Sequence, residues 1–180
     1  MLIRRDQSLL LIVDIQEKLA PAILNADAVV ANVTKLIHAA QQLSVPILAS
    51  EQYPKGLGRT VPPLREILPA ETVFEKIHFS CLAEPGVADR LRQRQRRQVI
   101  ICGMEAHVCV LQTAMDIKVA GLMPVVVADA VSSRRRKSHE LGLARMRDAG
   151  VAIVNTEMVL FEWIGQAGIQ EFKSLMALIK

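Results

Sequence analysis

The chain has 180 residues, of which 51% are hydrophobic, so it can bury a sizeable core as one domain spanning residues 1–180. This composition excludes a disordered or low-complexity chain. Only 3% of the residues are aromatic, which leaves little material for base stacking, and we expect no nucleic-acid partner. No apolar run approaches the ~20 residues of a membrane span, and no signal-peptide pattern opens the chain. We therefore expect a cytoplasmic protein with no membrane partner.

Charge and cysteine usage narrow the class further. The net charge of +4 comes from two basic runs, residues 90–97 and 134–137, and we expect each to be a solvated helix end or loop, because cations near helix C-termini are mildly favourable. The three cysteines, Cys81, Cys102 and Cys109, are odd in number and lack CxxC spacing. Neither a disulfide framework nor a thiolate zinc site is indicated.

Aliphatic runs and helical patterns alternate along the chain, which is typical of βα units. Buried strands are predicted at residues 9–13, 45–49, 72–75, 99–102, 124–127 and 151–154. Helical periodicity covers residues 28–43, 107–120 and 137–149. With right-handed crossovers, this alternation predicts an α/β protein: a three-layer α/β/α, Rossmann-like fold with a mainly parallel central sheet.

Two segments depart from this rhythm. Residues 51–68 are rich in proline and glycine and follow a strand, so we predict a long loop that forms a substrate lid or wall. The tail, residues 169–179, has apolar residues at helical spacing and is predicted to pack on the domain or on a partner subunit.

Three titratable residues fall at or just beyond the carboxyl ends of predicted strands: Asp14, Lys76 and Cys109. That edge is where a doubly wound sheet places its site. Cys109 lies in a predicted strand-to-helix turn, where the helix dipole and a neighbouring lysine favour the thiolate. An ordinary thiol with a pKa of ~8.5 is about 3% thiolate at pH 7, and a shift of the pKa to roughly 6 would raise the thiolate concentration some thirtyfold.

The chain resembles the isochorismatase-like cysteine hydrolase family over nearly its whole length. The resemblance rests on four motifs in the family's order, namely Val13-Asp14-Ile15-Gln16, Phe74-Glu75-Lys76 with Phe79-Ser80, the segment from Gly103 to Val110, and the segment from Asp129 to Ser133. The stretch from Ser50 to Gly58 looks most like the isochorismatase domain-containing branch, which has no agreed substrate.

The resemblance implies a mechanism and a set of residues. The family's catalytic triad falls on Asp14 as base, Lys76 as its partner and Cys109 as nucleophile. Its oxyanion hole, beside a cis peptide between Met104 and Glu105, falls on the N–H groups of Glu105 and Cys109. The residues expected to contact a small-molecule substrate are Gln16, Gln52, Tyr53, Leu57 and His107. Relatives assemble into dimers or larger forms, so we expect a homo-oligomer.

Two departures from better-known relatives bear on cofactors. Nicotinamidases bind a metal through an aspartate and histidine cluster after the second strand, whereas residues 49–54 offer only Glu51. We therefore expect no metal and no other cofactor. Ala106 and His107 stand where relatives often have threonine and aspartate, so the polarity of the pocket must differ. His107 either contacts substrate or faces solvent.

Three functions remain open. The first is a cysteine hydrolase that cleaves a C–N bond of a small amide or carbamoyl-type compound through a covalent intermediate on Cys109. The second is a vinyl-ether hydrolase of the isochorismatase type, which relies on Asp14 more than on a thiol. The third is a catalytically silent relative that acts through binding, using residues 134–137 or the apolar tail.

Overall fold

A computed structural model describes residues 2–179 and contains a six-stranded sheet in which every pairing is parallel. The strands are β1 (Ser8–Val13), β2 (Ile47–Gln52), β3 (Val73–Lys76), β4 (Gln98–Met104), β5 (Met123–Ser132) and β6 (Ala152–Val154). Their order across the sheet is β3-β2-β1-β4-β5-β6. The predicted α/β fold with a parallel sheet is confirmed.

Eight α-helices are present in the described part of the chain. They are α1 (Ala26–Gln42), α2 (Pro54–Leu57), α3 (Pro62–Arg65), α4 (Val87–Gln93), α5 (Leu111–Val119), α6 (Arg136–Asp148), α7 (Thr156–Ile164) and α8 (Phe172–Ile179). A π-helical turn, Ala106–Val110, leads into α5. None of the helices within residues 2–179 is both long and apolar enough to cross a membrane.

The two faces of the sheet bury separate hydrophobic cores, because successive strand residues point to opposite sides. On β1, Leu10 and Ile12 join the core that α1, α7 and α8 cover. Leu9 and Leu11 join the core beneath α4, α5 and α6. Both faces are therefore covered, which explains why the strands are continuous aliphatic runs.

The segment after β2 is more regular than predicted. Residues 51 and 52 extend the strand, and residues 54–57 and 62–65 form the short helices α2 and α3. The tail forms α8, whose Leu175 is fully buried in the core against α1 and α7. Of its two predicted contacts, packing on the domain is the one observed.

The basic runs lie where helices end and begin. Residues 90–93 form the last part of α4, which matches the predicted helix end. Residues 134–137 form a loop and the first turn of α6. The reason given for them, a favourable helix C-terminus, is wrong for this second run, because its cations lie at an N-terminus.

The strand order places a crevice at one particular edge of the sheet. From β1 the chain proceeds outward through β2 and β3, and β4 then returns to the other side of β1. In such sheets ligands bind outside the carboxyl ends of the strands at this reversal. Asp14 directly follows β1, and the turn that carries Cys109 follows β4.

Candidate active site

The buried ion pair between Asp14 and Lys76 forms the centre of the site. Lys76 Nζ lies 2.7 Å from Asp14 Oδ2, and neither side chain is exposed. The ammonium also donates to Gln52 Oε1 at 2.7 Å and to the carbonyl oxygens of His78 and Phe79. A buried charge requires such partners, so the lysine is held in one position by four acceptors.

The second oxygen of Asp14 is occupied by a residue that the sequence did not single out. Ser50, on β2, donates its hydroxyl to Asp14 Oδ1 at 2.6 Å, and Cys109 lies close enough for its thiol to influence the pKa of the carboxyl group. Asp14 itself has φ +52°, a left-handed conformation that Asp and Asn tolerate better than most residues. The structure therefore brings Asp14, Lys76 and Cys109 together.

Burial controls the protonation of the base and the thiol. It raises the pKa of Asp14 above its usual value, although the Lys76 ammonium and the hydrogen bonds act in the opposite direction. Burial also raises the pKa of the Cys109 thiol, and the Asp14 carboxylate adds to that rise while Lys76 opposes it. The helix start and the nearby lysine therefore do not lower the pKa of Cys109, because burial outweighs the lysine charge, which Asp14 already balances.

The turn before Cys109 combines a cis peptide bond with a π-helical turn. The Met104–Glu105 peptide bond is cis, and the π-helical turn places Cys109 at the start of the helical segment that continues as α5. The Glu105 side chain, which is 8% exposed, accepts hydrogen bonds from Arg134 N and Nε through Oε2. The carboxylate thus ties the turn to the segment that precedes α6.

Two of the residues expected to contact substrate hold the segment after β2 in place. Gln16 is fully buried, and its amide donates to the carbonyls of Gln52 and Gly58 and accepts from Gln52 N. Gln52 also donates to the Ile77 carbonyl. Their side-chain amides are therefore engaged with the protein: Gln16 with the lid backbone, Gln52 with Lys76.

Tyr53 and Leu57 lie farther out on the same segment. Tyr53 is 54% exposed and, with Lys76, Ile77 and Glu84, lines a cavity of about 300 Å³ that neither Asp14 nor Cys109 lines. Leu57 is partly exposed and ends α2. The segment is also pinned through Glu51, which is 2% exposed and accepts from Thr60 N and Oγ1.

His107 lies on the turn two residues before Cys109. Its Nδ1 is 2.9 Å from Ser133 Oγ, and the ring lines a second cavity with Arg134, Arg135 and Ser138. His107 is therefore partly buried at a cavity wall, and its contact with substrate stays a prediction.

The other two cysteines are fully buried. Cys102 lies within β4, and burial raises the pKa of its thiol. Cys81 lies beside the site: its Sγ is 3.6 Å from Ser50 Oγ, and its backbone N–H donates to Thr113 Oγ1. Burial raises the pKa of Cys81 to about 11.

Metal-binding side chains do not gather in the part of the chain that the structure describes. Within residues 2–179, no group of three or more His, Cys, Asp or Glu side chains is placed to hold an ion. Glu51 is bonded to Thr60 and Arg59, and Asp14 to Lys76 and Ser50.

Comparison with known proteins agrees with the fold. The family model described as the Isochorismatase domain matches residues 8–158. Isochorismatase domain-containing protein 2 of Danio rerio is 39% identical over 173 residues, covering 96% of this chain and 86% of the relative.

Solved structures give the same result. The MAR1 ribonuclease of Caenorhabditis elegans superposes with a TM-score of 0.93 and 39% identity, over 99% of this chain and 92% of that one. YcaC of Escherichia coli, described as an octameric hydrolase of unknown specificity, has a TM-score of 0.88 and 20% identity, over 98% and 95% of the two chains. The second likeness shows the fold alone.

These findings define an α/β protein with the isochorismatase-family hydrolase fold. The chain belongs to the isochorismatase family, and its relatives include the isochorismatase domain-containing proteins.

Proposed function

We propose that the protein is a cysteine hydrolase that cleaves a C–N bond of a small amide or carbamoyl-type substrate. The observation that carries this proposal is the contact of one buried carboxylate, Asp14, with both the Lys76 ammonium and the Cys109 thiol. A nucleophile that touches a base, which a third group in turn orients, is the arrangement of hydrolase triads.

In the first half of the reaction, Asp14 removes the proton from Cys109 Sγ as the sulfur attacks the carbonyl carbon. The raised pKa of Asp14 makes its carboxylate a stronger base for this transfer. Lys76 stays paired with Asp14 and balances the negative charge that passes between carboxylate and sulfur. The N–H groups of Glu105 and Cys109 stabilise the oxyanion, a contribution typically worth ~2.7–4 kcal/mol per donor.

Collapse of the tetrahedral intermediate breaks the C–N bond, and the leaving nitrogen takes the proton from Asp14. A thioester on Cys109 remains. Asp14 then removes a proton from water, the resulting hydroxide attacks the thioester, and the C–S bond breaks. The same proton returns to the sulfur, so the enzyme ends as it began.

The surroundings support a small substrate. The cavity that Tyr53, Lys76 and Ile77 line, and that Asp14 and Cys109 do not, measures about 300 Å³, which is at the lower end of small-molecule pockets. Tyr53 is its exposed aromatic wall. In this proposal Tyr53, Leu57 and His107 contact substrate, while Gln16 and Gln52 hold the lid and the lysine.

The test is a screen of small amides and carbamoyl compounds, in which ammonia or amine release is measured. Wild type should turn over at least one compound, and Cys109→Ala should lower its kcat by a factor of at least about 10³, as loss of a triad nucleophile does. Cys102→Ala is the matched control, since it removes a thiol from the adjoining strand. Full turnover by Cys109→Ala overturns the nucleophile assignment and favours vinyl-ether hydrolysis by Asp14.

A second candidate function, ribonuclease activity, is favoured by one observation. The Caenorhabditis elegans relative is described as a ribonuclease, and residues 134–137 carry four cations that can hold phosphates. Release of labelled fragments from single-stranded RNA, abolished by Cys109→Ala, would support it. No cleavage would leave the amide hydrolase as the function to test.

We also propose that the protein self-associates. Tyr53, Ile77 and Phe79 are exposed large hydrophobic residues, at 54%, 73% and 55%, and all three follow β2 or β3 at the same edge of the sheet. Exposed apolar residues gathered in one region are typical of an interface. Sedimentation equilibrium should give a mass at least twice 19.9 kDa, and a monomer at all concentrations would refute this.

A further inference from the structure

A basic cavity lies next to the turn that carries Cys109, which follows β4. In the strand order, Lys76 on β3 is on one side of β4, and β5, which leads into the cavity, is on the other. This basic cavity measures about 280 Å³ and is lined by His107, Arg134, Arg135 and Ser138. His107 belongs to the same π-helical turn as Cys109. Arg134 and Arg135 follow β5, the strand next to β4.

The charges around this cavity are unfavourable for the helix that they precede. Helix α6 begins at Arg136, and its first turn holds no acidic residue and no side-chain cap. Residues 134–137 instead place four cations at the positive end of a 13-residue helix. Cations destabilise a helix at this end, whereas an anion stabilises it. The first-turn amide N–H groups of α6 also suit an anion.

The cavity is held in a fixed shape by contacts around it. Glu105 Oε2 accepts from Arg134 N at 3.0 Å and from Arg134 Nε at 3.1 Å, so this guanidinium is oriented. Ser133 holds the His107 ring. Helix α6 packs directly on the turn, because a Cβ on Gly142 would lie 3.0 Å from His107 Cα.

The charge balance of the region remains positive. The carboxylates nearest the cavity are Glu105, which is bonded to Arg134, and Glu140, which is exposed on α6. Two carboxylates oppose the four cations of residues 134–137. Arginine forms paired hydrogen bonds with carboxylate and phosphate oxygens, so the chemistry of the walls matches an anionic group of that kind.

We propose that the basic cavity binds the anionic group, a carboxylate or a phosphate, of a small substrate whose scissile bond is presented to Cys109. This rests on the proposed hydrolase function. Arg135 and the first turn of α6 bind the anion, Arg134 is the oriented donor, and His107 separates this subsite from the sulfur two residues away.

Binding is tested without turnover, by titrating inorganic phosphate and acetate into wild type at low salt and recording amide chemical shifts. Shifts should saturate and should be centred on residues 134–138 and His107. Arg135→Gln should weaken binding about fivefold or more, in line with loss of a charged donor. Arg145→Gln is the matched control, because it removes the same charge from the last turn of α6.

The two titrations also separate the two anion chemistries. Tighter binding of phosphate than of acetate assigns a phosphorylated substrate, and the reverse assigns a carboxylate. Shifts spread over the surface, or equal effects of Arg135→Gln and Arg145→Gln, overturn the subsite. Saturable binding of a ten-nucleotide RNA with a steep salt dependence, but not of phosphate, also overturns it, because the surface is then a polyphosphate site.

Alkylation links the cavity to Cys109. The rate ratio of iodoacetate to iodoacetamide at Cys109 is measured in wild type, Arg135→Gln and Arg145→Gln. Arg135→Gln should lower the ratio about threefold while Arg145→Gln leaves it unchanged, since the attraction falls off over roughly 10 Å. An unchanged ratio in Arg135→Gln overturns the link. A Cys109 that neither reagent modifies refutes the hydrolase proposal, while the phosphate titration still decides the cavity.

Discussion

Replacing either Asp14 or Lys76 alone should lower the free energy of unfolding substantially. Replacing both residues together should lower it no further. At 2.7 Å the two charges attract by about 6 kcal/mol with an effective dielectric constant of ~20. Desolvation of two fully buried ions costs several kcal/mol each. The attraction therefore roughly offsets the desolvation, and the pair contributes little net stability. Removing one partner leaves the other charge buried without compensation, at a cost of ~3–5 kcal/mol.

The variants are Asp14→Asn, Lys76→Met and the double replacement. Asparagine is used because position 14 has φ +52°, which it tolerates well. Each single variant should lose ~3–5 kcal/mol, which lowers the melting temperature of a chain of this size by roughly 6–20 °C. The double variant should be no less stable than either single one, because it buries no unpaired charge.

Urea unfolding followed by circular dichroism measures the three free energies. Glu75→Gln is the control, since the Glu75–Arg59 pair spans 3.5 Å between side chains that are about 60% exposed, and surface pairs contribute ~0–1 kcal/mol. The balance between attraction and desolvation would be refuted if both single variants lost less than about 1 kcal/mol in the free energy of unfolding. It would also be refuted if the double variant lost the sum of the two single losses.

Further predictions concern the thiol, the sheet and the lid. Because burial raises the Cys109 pKa, its alkylation rate should still climb about tenfold per pH unit between pH 7 and 9; a plateau below pH 8, read by mass spectrometry, would contradict this. Gly103→Ala should abolish soluble expression, because Gly103 has φ +120° and a Cβ there would lie 2.0 Å from the Val13 carbonyl oxygen. Gly168 has open space around it, so Gly168→Ala should leave soluble expression unchanged. Gln16→Leu leaves the backbone groups of Gln52 and Gly58 without their hydrogen-bond partner. It should lower the free energy of unfolding by ~2–3 kcal/mol and speed proteolysis at residues 53–61. Cleavage and stability equal to wild type would show that other contacts hold this segment.

The sequence was sufficient to predict which residues meet at the edge of the sheet, but not which buried side chains contact them. Asp14, Lys76 and Cys109 could be placed at one edge because each lies at or just beyond the end of a predicted strand, and the family resemblance joined them as a triad. Ser50 could not be found this way, since a serine inside a buried strand has no distinguishing pattern. Its contact with Asp14 depends on the register of β1 and β2, which pairs Val13 with Ser50.

The protonation of Cys109 depends on features that the sequence does not display. A strand-to-helix turn and a nearby lysine both favour a thiolate, and both are visible in the sequence. The burial of the sulfur and the prior pairing of Lys76 with Asp14 are properties of the packed molecule. Gln16 illustrates the same limit, because a polar residue near a predicted site reads as a ligand contact until its backbone partners are known.

The register of the two central strands has a further consequence for how this enzyme can diversify. Asp14 follows Val13, which pairs with Gly103 on β4, so the spacing between Asp14 and the start of the turn that carries Cys109 is set by the interstrand hydrogen bonds. The lid after β2 and the basic run before α6 lie outside that ladder. Mutations there can change which molecule is accepted while the bond-breaking geometry is transmitted intact, so new specificities can arise without rebuilding the reaction centre.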